Sequence, residues 1–112
     1  SAASREADRT IAELLELAEK VLLFLPPTAP LDRRGSPPCL MPNLTAMLQS
    51  KAGERVAVET RDWDGYGLGY RDYLYPARRA GHFKIDPLHA NAAGAKKISS
   101  ALARRAAVLL TP

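Results

Sequence analysis

The chain has 112 residues, 46% of them hydrophobic and 25% charged, with a formal charge of +4 at pH 7 and a pI near 9.5. That composition builds one core, which excludes a disordered polypeptide and leaves room for a single domain over residues 1–112. The basic residues fall as separate pairs, Arg33/Arg34, Arg78/Arg79, Lys96/Lys97 and Arg104/Arg105, which read as solvated faces and argue against a nucleic-acid grip.

Cys39 is the only cysteine, so no disulfide can form within the chain and no cysteine-based metal site is possible; the compartment stays open. No stretch approaches the roughly eighteen apolar residues of a membrane span, and the opening SAASREADRT lacks the layout of a signal peptide.

From Ser4 to about Lys20, Ile11, Leu14, Leu15, Ala18 and Leu22 fall at helical spacing, leaving Glu13, Glu16 and Glu19 outside. Ser4 is the expected cap, with Glu6 and Asp8 in the first turn. Val21 to Leu25 is then an unbroken apolar run stopped by Pro26 and Pro27, the pattern of a strand buried on both faces in a parallel sheet. The segment from Thr28 to Pro42 contains Pro30, Pro37, Pro38 and Gly35 and reads as a surface loop. Asn43 is the expected cap of a helix through about Lys51, with Leu44, Met47 and Leu48 inward, and RVAVE at Arg55 to Glu59 forms a second short strand.

Thr60 to Ile85 shows neither period for most of its length. A loop of that length in a compact domain is commonly functional, and its Trp63, Tyr66, Tyr70, Tyr73 and Tyr75 offer apolar rings with polar tips. Trp63, Tyr66, Tyr70 and Tyr73 are accordingly candidate substrate-binding residues. Asp62, Asp64 and Gly65 hint at a calcium loop, but Tyr73 stands where the bidentate glutamate belongs, so no metal is expected. The last helix runs from a cap at Asn91 to about Leu110, with Ala95, Ile98, Leu102, Ala106 and Leu109 on its inner stripe.

Asp86 and His89 carry the candidate chemistry. A carboxylate that touches one imidazole nitrogen fixes the tautomer and leaves the other nitrogen free to take a proton from a nucleophile. Around them, IDPLHANAAGAKKISSALA resembles the last conserved block of the SGNH/GDSL hydrolases, in which D-x-x-H precedes an asparagine, a glycine and an apolar helix. Leu88, Asn91, Gly94 and the Ile98/Leu102 stripe share in the resemblance. Upstream, AEKVLLFLPPTAP is similar to the family's penultimate core strand and its exit, and Asn43 to Glu59 to its next helix and strand.

The resemblance implies an α/β fold, the carboxy-terminal portion of a three-layer α/β/α sandwich around a parallel sheet, flavodoxin-like in layout. It implies a serine esterase acting on carboxylic esters, with His89 as general base, Asp86 orienting it, and no cofactor. The family's G-D-S nucleophile motif and its G-x-N-D motif are absent from the sequence. Ser36, Ser50, Ser99 and Ser100 all lack the strand-to-turn setting of a nucleophile, so the serine and the oxyanion donors are expected from a missing amino-terminal segment or a partner chain. This chain alone is therefore expected to be inactive. The alternative from another class is a non-catalytic module that binds a protein or an anionic polymer through the basic pairs and the tyrosine-rich loop.

Overall fold

In the computed structural model, residues 1–29, 42–61 and 63–111 are described. Most of the proline-rich loop, with Arg33, Arg34, Ser36 and Cys39, lies outside the described residues, as do Asp62 and the side chains of Trp63 and Asp64. The elements are α1 (Ala2–Leu17), β1 (Val21–Phe24), α2 (Pro42–Gln49), β2 (Val56–Glu59), 3-10 turns at Trp63–Tyr66 and Tyr70–Tyr73, β3 (Leu74–Pro76), β4 (Phe83–Ile85) and α3 (Ala92–Leu109). Helix and strand are mixed, with a small parallel sheet between β1 and β2, and among the described residues no helix is long and apolar enough to cross a membrane.

The described residues divide into two compact units, the first taking 1–25, 42–60 and 105–111 and the second 26–29, 61 and 63–104. In the first, β1 and β2 pair in parallel, with Val21 opposite Val56 and Phe24 opposite Glu59. Their βαβ order follows from the sequence, because an apolar run, a helix and a second apolar run can pair in parallel only through a crossover. The expected double burial of β1 is not met: Val21 is buried, whereas Leu22, Leu23 and Phe24 keep part of their surface exposed, because this sheet has two strands.

Side chains close the ends of α1. It starts earlier than its apolar spacing predicts, because Ser1, not Ser4, is the cap, its Oγ accepting from the Ser4 amide at 3.2 Å. Ser4 instead accepts at Oγ from Lys51 Nζ, which also pairs with Asp8 at 2.8 Å. At the other end the Arg55 guanidinium donates to the carbonyls of Leu15 and Ala18, groups that a helix terminus otherwise leaves without intrahelical partners, and to that of Glu19 just beyond. Helix α2 begins at Pro42 rather than behind an Asn43 cap; proline suits a first helical position, where its missing N–H has no intrahelical acceptor to serve.

The segment from Thr60 to Ile85 is not a featureless loop. It holds both 3-10 turns and an antiparallel hairpin in which Leu74 faces Ile85, Tyr75 faces Lys84 and Pro76 faces Phe83. Strands of three residues are too short to display a period, and Pro76 disguises β3 further. On α3 the expected inner positions Ile98, Leu102, Ala106 and Leu109 are partly buried, Ala95 is exposed, and Gly94 and Ala101 are buried beside that stripe.

Glu59 ends β2 and is only 1% exposed. Arg105, from the last turns of α3, donates from Nε to its Oε2 at 2.7 Å. A hydrogen bond to a buried charge contributes more than one between neutral groups, so Arg105→Ala should destabilise the chain by about 1–3 kcal/mol. Urea unfolding followed by circular dichroism checks this, and Arg105→Lys should recover part of the loss, since lysine keeps the charge without the guanidinium geometry.

Candidate functional site

The turn that carries Asp86 and His89 is built by the aspartate itself. Asp86 Oδ1 accepts from the backbone amides of Leu88 at 2.9 Å and His89 at 3.1 Å, the local closure that aspartate makes so readily at turns. Two backbone contacts hold the turn from outside: the Asp86 amide donates to the Tyr73 carbonyl, and the Ala29 amide donates to the Pro87 carbonyl, both at 2.9 Å. The exit from β1 and the end of the second 3-10 turn thus meet at Asp86-Pro87.

Within that turn His89 Nδ1 lies 3.0 Å from Asp86 Oδ2 and 3.2 Å from Oδ1. With Asp86 ionised, Nδ1 carries the hydrogen and donates it, which leaves Nε2 as the acceptor of the ring. Nε2 has no hydrogen-bond partner among the described residues, and the His89 side chain is 73% exposed. The carboxyl of Asp86 is held below the ordinary carboxylate range, chiefly by the Leu88 amide; desolvation is the next influence and opposes it, and the His89 ring and amide add to the lowering.

What fixes His89 in space is the entry to α3. Asn91 Oδ1 accepts from the Gly94 amide at 3.0 Å, the capping role its sequence position indicates, while its Nδ2 donates to the carbonyls of Arg71 and Leu74. The Asn91 amide donates to the Asp72 carbonyl at 2.7 Å. Gly94 lies against the same residue so closely that a Cβ there would stand 2.7 Å from the Asp72 carbonyl oxygen and 2.9 Å from its Cβ. Tyr75 completes the clamp, its hydroxyl lying 2.8 Å from the His89 carbonyl oxygen and 2.7 Å from that of Ala90.

The tyrosines divide by burial. Tyr73 is fully buried and donates its hydroxyl to the Pro27 carbonyl at 2.8 Å; burial, and then the Asp72 carboxylate, push that hydroxyl up to about 12. Tyr66 is buried too, with the Arg61 guanidinium 4.9 Å above its ring. Both therefore pack the second unit instead of presenting a ring to a ligand, because an irregular segment this long has to supply its own core. Tyr70 is half-exposed, and the side chain of Trp63 lies outside the described residues.

Asp72 is a residue that sequence reasoning passed over. It is 5% exposed, and its Oδ2 accepts from the Gly69 amide at 2.9 Å and from Lys97 Nζ at 3.0 Å, so it joins the second 3-10 turn to α3. In RDY it looks like any loop aspartate, and nothing local marks it. The rival imidazole, His82, is exposed on the hairpin, and among the described residues it makes only backbone hydrogen bonds.

Two outcomes follow. Gly94→Ala gains up to about 1 kcal/mol in helix propensity but meets an overpacking cost of about 1–3 kcal/mol, so the melting temperature should fall. For Asp86 the folded-state pKa is depressed, so its contribution to stability is present above the ordinary carboxylate pKa and is lost as pH falls through the lowered value. An NMR titration should show the Asp86 midpoint rising in His89→Ala yet staying below the ordinary value, since the Leu88 amide is the larger influence.

Comparisons with family models, with curated proteins and with solved structures gave no match, so the reading of this site rests on its own residues and their geometry.

Proposed function

We propose that this chain carries the histidine and aspartate of a serine ester hydrolase of the SGNH/GDSL type, whose serine and oxyanion donors come from sequence outside it. The observation that carries the reading is the hydrogen bond between Asp86 Oδ2 and His89 Nδ1 with Nε2 left without a partner, in a turn that leads directly into a capped helix. An imidazole held in that way is a general base waiting for a hydroxyl.

In the reaction, His89 Nε2 takes the proton of the serine hydroxyl as its oxygen attacks the ester carbonyl. The resulting imidazolium is stabilised at Nδ1 by the Asp86 carboxylate. His89 then returns the proton to the departing alkoxide, and repeats both transfers with a water molecule to free the acid and restore the serine. Among the described residues no serine does this work: Ser50 donates its hydroxyl to the Met47 carbonyl, Ser99 and Ser100 are exposed on α3, and Ser1 and Ser4 serve the start of α1.

The matching architecture is the carboxy-terminal part of a three-layer α/β/α sandwich. The partly exposed apolar side chains of β1 support it, because Leu22, Leu23 and Phe24 are the residues of a strand flanked by more protein. Exposure of the His89 ring favours catalysis over the interaction module, in which a buried or backbone-tied imidazole would serve equally well.

The test is hydrolysis of a short-chain aryl ester by this chain and by a longer chain that includes the upstream reading frame. Turnover should require the longer chain and fall by about 10³-fold or more in His89→Ala, with a comparable loss in Asp86→Asn, whose amide favours the wrong tautomer. Turnover by the 112-residue chain that vanishes in His89→Ala would instead place the nucleophile within it.

A further inference from the structure

The hairpin β3–β4 has one face turned toward the site and one turned away. Residues opposite each other in an antiparallel pair share a face, so Tyr75 and Lys84 form one, and Leu74, Ile85, Pro76 and Phe83 form the other. Tyr75 reaches the carbonyls of His89 and Ala90, which assigns its face to the entry of α3. The opposite face is wholly apolar, yet Phe83 is 66% exposed and Pro76 is exposed beside it. Leu88, just beyond β4, is a further exposed apolar side chain at 49%.

The hairpin carries cations and no anion. Arg78, Arg79 and Lys84 are exposed, no acidic residue occurs from Tyr73 to Ile85, and among the described residues none of the three makes an ion pair. The tip that carries the arginines has a defined shape. The Ala77 amide donates to the His82 carbonyl, continuing the ladder, and the His82 amide donates to the Arg79 carbonyl at 3.1 Å around Gly81. Gly81 has φ +77, the left-handed value required at the third position of a type II turn.

We propose that this hairpin is a docking element for an anionic phospholipid surface, with Phe83 entering the boundary between headgroups and acyl chains while Arg78 and Arg79 at the tip meet the lipid phosphates. The combination is what such a boundary selects: hydrocarbon on one side, cations at the tip and no opposing charge. A single-stranded nucleic acid would call for successive rings on which bases stack, and Phe83 is the sole ring on the open face of the hairpin. Nothing in the proposal depends on ester hydrolysis; it concerns where the chain resides, not what it cleaves.

The test is co-sedimentation of the 112-residue chain with vesicles of neutral phosphatidylcholine, and of phosphatidylcholine containing about a third phosphatidylglycerol. Partition into the anionic vesicles should exceed that into the neutral ones and weaken with added salt. It should fall about tenfold or more in the double variant Arg78→Gln, Arg79→Gln. It should fall by a comparable factor in Phe83→Ser, and recover in Arg78→Lys, Arg79→Lys, whose charge is kept. His89→Ala should partition as the unaltered chain does, which separates this proposal from the catalytic one. Equal partition into both vesicles, indifference to either substitution in variants whose circular dichroism is unchanged, or tighter binding to a single-stranded oligonucleotide than to the anionic vesicles would overturn it.

Discussion

The seating of the first turn of α3 on the 3-10 turn at Tyr70–Tyr73 is the constraint from which the site takes its shape. Three kinds of bond converge there. The Asn91 amide and side chain engage the backbone at Arg71, Asp72 and Leu74, Asp72 holds Lys97 from α3, and Gly94 lets the two backbones approach without an intervening Cβ. Since His89 precedes Asn91 by two residues and Asp86 donates its amide to Tyr73, both side chains inherit their positions from the same junction. The Asp86–His89 pair lies on a turn, but its position is set by a helix start.

This explains why the short block around Asp86 reads so clearly from sequence. The aspartate, histidine, asparagine and glycine each answer a separate local demand: closing the turn, presenting an imidazole, capping a helix and permitting close approach. Local demands leave local signatures. The three helices and the two parallel strands were legible for the same reason, since each has enough residues to show its period or its apolar run.

What the sequence hides depends on partners distant along the chain. Asp72 and Glu59 look like ordinary polar residues until the lysine and arginine that meet them come from α3. The hairpin escapes because a three-residue strand contains no full alternation, and its Pro76 is a residue expected of loops. Burial of Tyr66 and Tyr73 escapes because a tyrosine in an aperiodic stretch is compatible with either a core or a binding surface, and only the backbone carbonyl of Pro27 decides the case for Tyr73.

The contact between Tyr73 and Pro27 also bears on how this unit assembles in time. The two residues are 46 positions apart, and the Ala29–Pro87 bond closes a still longer loop. Each such closure costs chain entropy before any packing offsets it. The hairpin and α3 form from neighbours and can nucleate early, whereas the strand exit that carries Pro27 joins only when the chain has searched this distance. The turn bearing Asp86 thus owes one of its backbone supports, the bond at Pro87, to a closure whose entropy cost the local contacts of the hairpin and α3 do not carry.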